Sequence, residues 1–493
     1  MVRARIQKIA IYRFRYLLAY GAFAIALATM LLVAGFYLPG GLLSTEVRSA
    51  LISDNLNPAH LFSLQPDELI YLPYRLLQAG SISLFGISLV GIKLPSIVLG
   101  FASALGILYL LNLWYHRNVA IITAMIAVTT NQFLLASQAG QAGVVYIFLT
   151  TMILVAASMV ARKSAYAHLW VLAGFVLAAI SLYMPLNIYV LVALLLTAII
   201  HPHARHMLLR QASRPIILFG SLLFIAILSP LVIGIINDPS VLRTLLGFSE
   251  KITNFAGNAA SLVQNYTSFA NPTTGAVIVP VYGLGMALLI LLGLYRLFSA
   301  KYTAKSYILS FWIVLLVPLV CLNPGFVSVT FIPVVLLIAL AIDYLIRSWY
   351  RLFPRNPYAR IFGLLPLAVL VVGLVVSSID RYVYGLHYDR AVYSTYSYDL
   401  PILRSKLKTL DKNDTVQLIV APTNVAFYKS FANHQRYVKQ VNVTSDPTQA
   451  TDATISIAER SEKERIEKLP DDILVTRTVN DADHFYLYKN VRS

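Results

Sequence analysis

Long apolar runs follow one another along most of this chain and are separated by short polar stretches. A helix needs about 20 apolar residues to cross a bilayer, so these runs predict membrane-spanning helices. We place about eleven crossings, at residues 16–38, 92–114, 118–136, 144–161, 167–184, 186–201, 215–236, 279–296, 306–322, 329–346 and 361–380. The pattern predicts an all-α polytopic membrane domain over residues 1–386.

Two longer polar stretches interrupt the apolar pattern, at residues 39–91 and 237–278. The first contains "STEVRSALISDNL", where apolar residues recur at helical spacing and Ser44 is the expected N-cap. It also contains "DELIYLPYRLLQAGSISLFG", an apolar helix that Pro73 and Gly80 are expected to interrupt. We expect this helix to lie in the membrane interface, because one more crossing would invert the charge pattern of every later loop.

After the last crossing the periodicity changes. Residues 387–493 alternate predicted helices ("DLPILRSKLKTLDK", "NVAFYKSFANH") with predicted strands ("TVQLIVAPT", "RYVKQVNV", "ATISIAE") and end in a hairpin, "ILVTRTVNDADHFYLYKN". This alternation predicts a small α/β domain.

Basic residues orient the predicted crossings. The stretch before the first crossing, "MVRARIQKIAIYRFR", has five basic residues and no acid, which favours a cytoplasmic N-terminus. The loops that would share that side are also basic, whereas the acids of the membrane region fall on the other side. Asp343 is the exception, and we expect it to pair with Arg347 one helical turn away. An odd number of crossings makes the C-terminal domain extracytoplasmic, on a multi-pass protein of the plasma membrane.

Composition supports the membrane class. Only 12% of the residues are charged, against about 25% in soluble domains. The net charge of +17 could suggest nucleic acid, but short basic clusters between apolar runs are explained by topology, so we expect a bilayer and no nucleic acid partner. One cysteine, Cys321, excludes a disulfide framework.

The order of these parts resembles the GT-C superfamily of membrane glycosyltransferases, in particular its protein mannosyltransferase and aminoarabinose transferase branch. The resemblance lies in one span, a long outer loop, a segment ending "LFG", and then "IKLPSIVLGFASALGILYLLNLWYHRN", where Lys93 stands in place of the usual Arg. It implies a transferase that moves a sugar from a polyprenyl-phosphate donor to an acceptor on the outer face.

Three polar motifs of this branch are altered in the chain. The Asp of an Asp-Glu pair after the first span is Thr45 here, followed by Glu46. A basic and acidic group after the third span reads "SQAGQAGVV", with Gln138 and Gln141 at the basic positions and Gly143 at the acidic one. A late span opens as "NPGFVSVTFIPVVLL", without the expected cation.

Four acids are candidates for the general base that would deprotonate an acceptor hydroxyl. Glu46 lies nearest the position of the family carboxylate, with a helix N-terminal charge as its structural alternative. Asp54 lies in a helix-stop sequence. Asp67 and Glu68 form the one adjacent acid pair of the loop and could act as base or metal ligand, or be N-terminal charges of the second helix.

Four cations are candidates for binding the donor phosphate: Arg75, Lys93, Arg243 and Lys251. A lipid-linked phosphate requires cations at headgroup depth, although cations there also snorkel from apolar helices. The histidines form no metal-binding pattern. The sequence identifies no cofactor with certainty, and a divalent metal ion would be compatible with the acid pair.

The leading interpretation is an integral membrane glycosyltransferase that uses a polyprenyl-phosphate sugar; the sequence does not identify the acceptor. The alternative is a catalytically inactive GT-C-like protein that binds a lipid phosphate or a partner, favoured by the altered motifs. A transporter is less favoured, because buried charges and internal repeats are lacking in the sequence pattern.

Overall fold

The computed structural model describes most of the chain, and the following account is confined to those parts. They are residues 10–37, 41–162, 166–202, 205–206, 214–248, 254–267, 282–299, 303–352, 357–387, 395–396, 398–446, 453–466, 468–475 and 483–489.

Helices dominate the first four fifths of the structure. In chain order they are α1 (Ala10–Tyr37), α2 (Ser44–Asp54), α3 (Pro66–Leu69), α4 (Leu72–Phe85), α5 (Leu89–Trp114), α6 (Arg117–Val128), α7 (Asn131–Gln138), α8 (Gly143–Ala161), α9 (Ala167–Ser181), α10 (Ile188–Ile200), α11 (Arg214–Asn237), α12 (Ser240–Leu245), α13 (Phe255–Thr267), α14 (Gly283–Ser299), α15 (Ala304–Leu322), α16 (Phe331–Leu352) and α17 (Pro357–His387).

Many of these helices suit a bilayer. Among the described residues, six are long and apolar enough to cross a membrane, or seven if the bent pair α6 and α7 is one span. Four shorter apolar helices, Phe23–Val33, Ala167–Ser181, Ile188–Ile200 and Gly283–Ser299, overlap other predicted crossings. A multi-pass helical membrane domain is therefore confirmed, and the number of eleven stays a prediction. Asp343 pairs with Arg347 at 2.8 Å, as expected.

The segment after α1 differs from the prediction in two details. Helix α2 begins at Ser44, but Leu43 is its N-cap, because the Glu46 side chain accepts a hydrogen bond from the Leu43 backbone N–H. The second helix is broken before Pro73, at Tyr71, whose φ of 67° is left-handed. Pro73 itself lies in the first turn of α4, where its missing N–H costs nothing, and Gly80 does not interrupt the helix.

The C-terminal part is a small mixed sheet with two helices, confirming the predicted α/β unit. Its elements are α18 (Leu400–Thr409), β1 (Thr415–Ile419), α19 (Val425–His434), β2 (Gln440–Thr444), β3 (Ile455–Glu459), β4 (Asp472–Val475) and β5 (Asp483–Lys489). The strand order is β2-β1-β3-β5-β4, with β1 parallel to β2 and β3, and β5 antiparallel to β3 and β4. The second predicted strand begins four residues later than expected, at Gln440.

This C-terminal unit packs directly on the segment between α1 and α5. One buried apolar cluster joins Val47 and Ala50 of α2 to residues of α18, α19 and the sheet. Leu42 and Tyr398 form an antiparallel bridge beside this cluster. The contact holds α2 between the sheet unit and the membrane helices. The division at residue 386 stays a prediction.

Candidate functional site

A cavity of about 430 Å³ lies where α2, α4 and the loop between α7 and α8 meet. We call it the arginine cavity. Its polar lining comes from Thr45, Arg48, Ser49, Asp67, Tyr71, Tyr74, Arg75, Gln141, Tyr146, Thr244 and Ser328.

Helix α2 forms one wall of the cavity with one face, while its other face is buried in the protein. Thr45, Arg48, Ser49 and Ile52 line the cavity, and their spacing places them on one side of the helix. The other side, which includes Glu46, is buried. The same stretch thus supplies both a cavity wall and a packed core face.

Asp67 lies at the cavity beside Arg48. The Arg48 guanidinium donates to Asp67 Oδ2 at 2.5 Å, and both side chains remain largely exposed. Of the four acids expected as base, Asp67 is the one among the cavity-lining residues. An exposed ion pair of this kind contributes little stability. Because both side chains are exposed, both groups are accessible to a ligand.

Arg75 is the buried cation of the cavity. Its Nε donates to the backbone oxygen of Ile70 at 2.8 Å, and one terminal nitrogen has no hydrogen-bond partner among the described residues. Burial lowers the pKa of Arg75 from its usual value, while nearby Asp67 opposes that shift. Arginine nevertheless keeps its charge in proteins. A cation that lines a cavity and has an unpartnered N–H donor is suited to an anionic group.

Tyr71 borders the same cavity in a strained conformation. Its positive φ of 67° is uncommon for a residue with a side chain, and its backbone N–H donates to Tyr183 O at 3.0 Å. Burial raises the pKa of the Tyr71 phenol to about 12, so it remains a neutral hydrogen-bond donor near pH 7.

The three altered motifs converge on this cavity. Gln141 donates from Nε2 to the Thr45 hydroxyl at 2.5 Å. A neutral pair therefore occupies two positions where the resemblance implies one acidic residue, at 45, and one basic residue, at 141. Gly143 lines the cavity, and a Cβ there would meet no atom within 4 Å. Phe326 and Ser328 of the late motif line it too. Residues of all three motifs therefore lie at one cavity and are uncharged, unlike the groups that the resemblance implies.

Glu46 and Lys93 form a buried pair beneath this region. Both side chains are about 0–1% exposed, and Lys93 Nζ lies 3.8 Å from Glu46 Oε1. The carboxylate also accepts the backbone N–H groups of Leu43, at 2.9 Å, and Gly140, at 2.6 Å. Neither residue lines the arginine cavity.

Gln78 of α4 is a second buried side chain that contacts the backbone at Gly140. Its amide donates to the carbonyl oxygens of Ile92 and Gly140, each at 3.1 Å, and its own oxygen accepts from Ser49 and Ser53 of α2. Glu46 and Gln78 together satisfy both backbone groups of Gly140. They therefore position the loop that presents Gln141 and Gly143.

The remaining predicted acids have other partners. Asp54 contacts the C-terminal unit: its carboxylate accepts from the Ser430 hydroxyl and lies 3.4 Å from His434 Nε2. Glu68 accepts the backbone N–H of Gln65 at 2.9 Å, as an N-terminal charge of α3. Neither is among the cavity-lining residues.

Of the three predicted phosphate ligands that lie in the described ranges, Arg75 is the one that lines the cavity. Arg243 is exposed in the last turn of α12, although its neighbour Thr244 borders the cavity. Lys251 lies outside the described residues. Within the described ranges, no group of three His, Cys, Asp or Glu side chains could hold a metal ion.

Sequence reasoning missed Arg48 and Tyr71. Arg48 follows Thr45 by three residues, so the helical spacing of α2 could have placed both on one face. Nothing in the sequence around Tyr71 indicated the left-handed break, because Pro73 and Gly80 were the stronger helix-breaking signals.

Comparisons with known proteins agree with this architecture. A family model described as dolichyl-phosphate-mannose-protein mannosyltransferase matches residues 73–233. A search of curated protein sequences finds no significant match.

Solved structures resemble the chain over most of its length. Apo ArnT from Cupriavidus metallidurans matches with a TM-score of 0.52 and 13% identity, covering 96% of this chain and 98% of that one. The same protein bound to undecaprenyl phosphate gives 0.50 and 11%, with the same coverage. The Archaeoglobus fulgidus oligosaccharyltransferase tethered with an acceptor peptide gives 0.51 and 12%, over 89% of this chain and 65% of that one.

At these identities the likeness concerns the fold. The helical membrane part, the segment between α1 and α5 and the C-terminal sheet unit are all included in the ArnT match. The chain therefore shares the overall fold of these solved structures, in agreement with the GT-C fold that its sequence resemblance implied.

Proposed function

We propose that this protein is an integral membrane glycosyltransferase that transfers a sugar from a polyprenyl-phosphate donor to an acceptor on the outer face of the plasma membrane. The observation that carries the proposal is the arginine cavity, in which Asp67 lies beside two arginines inside a GT-C fold. A similar fold has been solved with undecaprenyl phosphate bound, which supports the donor class.

The cavity residues suit the two halves of the reaction. The Asp67 carboxylate would accept the proton of the acceptor hydroxyl, whose oxygen then attacks the anomeric carbon of the sugar. The bond from that carbon to the phosphate oxygen breaks, and polyprenyl phosphate leaves with the electron pair. Arg48 and Arg75 would stabilise the charge that develops on the leaving phosphate.

Arg75 is the better-placed of the two phosphate ligands. It is 7% exposed, so its charge is less screened by water than that of Arg48, and it retains an unpaired N–H donor. With Asp67 also at the cavity, the ionisable lining carries a net charge of one positive unit, which favours an anion.

Glu46 and Lys93 are assigned a positioning role in this proposal. Their buried contacts fix the loop at Gly140, which presents Gln141 and Gly143 at the cavity. Asp54 would dock the C-terminal unit. The outer location follows from the charge pattern of the loops, with the N-terminus in the cytoplasm.

The test is a transfer assay with the full chain in liposomes and a panel of polyprenyl-phosphate sugars, scored by release of polyprenyl phosphate. We expect Asp67→Asn to lower turnover by about 10²–10⁴-fold, with Asp472→Asn, in a remote ion pair, as control. If Glu68→Gln abolishes turnover while Asp67→Asn does not, the base is misassigned. If the wild type turns over none of the donors, the proposal that this protein is a glycosyltransferase is contradicted.

A second candidate function is supported by the neutral Thr45–Gln141 bond. In this alternative, the protein binds a lipid phosphate through Arg75 and does not transfer sugar. Undecaprenyl phosphate would then bind to the wild type, and no donor would turn over. Measurable turnover by the wild type excludes this alternative.

A further inference from the structure

A second, larger cavity of about 630 Å³ lies among the membrane helices. We call it the apolar cavity. It is enclosed chiefly by α8, α9, α10 and the ends of α5 and α15, and its lining is almost entirely hydrophobic, including Trp170 and Phe175 of α9. Its volume lies within the range of about 300–1,000 Å³ of small-molecule sites.

The two cavities lie at opposite ends of α8. Gly143, the first residue of this helix, lines the arginine cavity, whereas Arg162, which follows its last residue, lines the apolar cavity. A helix of 19 residues is about 28 Å long, close to the thickness of a bilayer core. The apolar cavity therefore lies toward the membrane face opposite the arginine cavity.

Cations occupy one end of the apolar cavity. Arg162 and Lys305 are its charged lining residues in the described part of the chain, and no carboxylate lines it. Each donates to a backbone oxygen at the end of α5, Arg162 to Leu113 and Lys305 to Trp114. An arginine has five N–H donors and a lysine three, so each has capacity for an anion as well.

Aromatic residues surround the same end. Lys305 Nζ lies 5.6 Å from the ring centroid of Trp114 and 5.4 Å from that of Tyr115. The Trp114 indole donates to Ser158 at 2.7 Å. Tryptophan and tyrosine concentrate at the level of lipid headgroups, so this end of the cavity is suited to the headgroup region of a leaflet.

We propose that the apolar cavity binds one anionic phospholipid of the leaflet opposite the arginine cavity. An acyl chain occupies the hydrophobic interior, and the phosphate group lies between Arg162 and Lys305. Charge complementarity selects an anionic lipid, because two cations without a lining carboxylate attract a net negative headgroup more strongly than a zwitterionic one. The site is independent of the proposed sugar transfer.

The experiment uses tryptophan fluorescence of the full-length protein in phosphatidylcholine nanodiscs. Two of the four tryptophans, Trp114 and Trp170, line the cavity. Phosphatidylglycerol with a brominated acyl chain should quench them at a mole fraction about tenfold lower than brominated phosphatidylcholine. Arg162→Gln with Lys305→Gln should remove this preference.

A glycine pair provides the matched test of the hydrophobic part. A Cβ on Gly174, which lines the cavity, would meet no atom within 4 Å, and the same is true of Gly21 in α1. Gly174→Leu should therefore fill the cavity and abolish the preferential quenching, whereas Gly21→Leu should leave it unchanged.

Equal quenching by the two brominated lipids in the wild type overturns the proposal. So does a preference that survives both the charge variant and Gly174→Leu. If undecaprenyl phosphate added in an amount equimolar to the brominated phosphatidylglycerol abolishes the preferential quenching of the wild type, the occupant is a polyprenyl carrier and the phospholipid assignment is wrong.

Discussion

Glu46 lies one residue after Thr45, where the sequence resemblance implies an acid, and its surroundings are those of a structural ion pair. It is fully buried, accepts two backbone N–H groups and faces Lys93. Breaking a buried pair by removing one partner leaves an uncompensated charge. At the residue scale, the stability of variants of this pair therefore shows whether Glu46 has a structural role.

We expect Glu46→Gln and Lys93→Met each to destabilise the protein by about 3–5 kcal/mol, and the double variant to be more stable than either single one. Thermal unfolding in detergent, followed by intrinsic fluorescence, measures this. Lys406→Met removes a partly exposed ion pair and should shift the midpoint little. Single variants as stable as the wild type would contradict a structural pair.

Asp399, the N-cap of α18, gives a pH-dependent prediction. It is 1% exposed, Oδ1 accepts from Ile402 N at 3.1 Å, and Oδ2 has no hydrogen-bond partner within the described part of the chain. Burial raises its pKa from 3.8 to about 7. The folded protein thus favours the protonated acid, and the stability linked to it is lost as pH rises from about 4 through 7.

Unfolding of the wild type and of Asp399→Asn should be compared between pH 5 and pH 8. Asparagine also caps helices and does not titrate, so the variant should lose less stability than the wild type as pH is raised. Equal pH dependence of the two proteins would contradict the raised pKa.

At the scale of elements, the loop between α7 and α8 places Gln141 in the lining of the arginine cavity. Its backbone at Gly140 is held by Glu46 and Gln78 from two other helices. A Cβ at Gly140 would come within 2.5 Å of the Ile92 side chain and 3.1 Å of its backbone oxygen. The close approach of this loop to α5 therefore requires a glycine.

Gly140→Ala should destabilise the protein by about 1–3 kcal/mol, because the loop must move away from α5. Gly143→Ala is the matched control, since a Cβ at Gly143 meets no atom within 4 Å. Thermal unfolding of both variants provides the measurement. A Gly140→Ala protein as stable as Gly143→Ala would show that the loop is not tightly held.

At the scale of the whole molecule, the apolar runs predicted the membrane helices, and the alternation of helix and strand patterns predicted the C-terminal α/β unit, because both depend on local periodicity. The composition of the arginine cavity could be predicted only in part from the sequence. Glu46 and Asp67 are both acids on short helices, and only tertiary packing buries one and leaves the other at a cavity. The convergence of Thr45, Gln141 and Ser328 likewise depends on contacts between distant segments.

The predicted orientation can be tested by cysteine labelling, because Cys321 is the single cysteine and is buried. Thr423→Cys, exposed in the C-terminal unit, should react with an impermeant maleimide on intact cells. His116→Cys, exposed between α5 and α6, should react only after permeabilisation. The reverse pattern would place the C-terminal unit in the cytoplasm.

Binding of undecaprenyl phosphate to the purified full-length protein tests the central claim most directly. If the arginine cavity holds the donor phosphate, Arg75→Gln should weaken binding by about 10–100-fold through loss of a buried charge-assisted contact. Arg404→Gln, which removes a cation stacked on Tyr437 in the C-terminal unit, should bind like the wild type. Undiminished binding by Arg75→Gln would contradict the account.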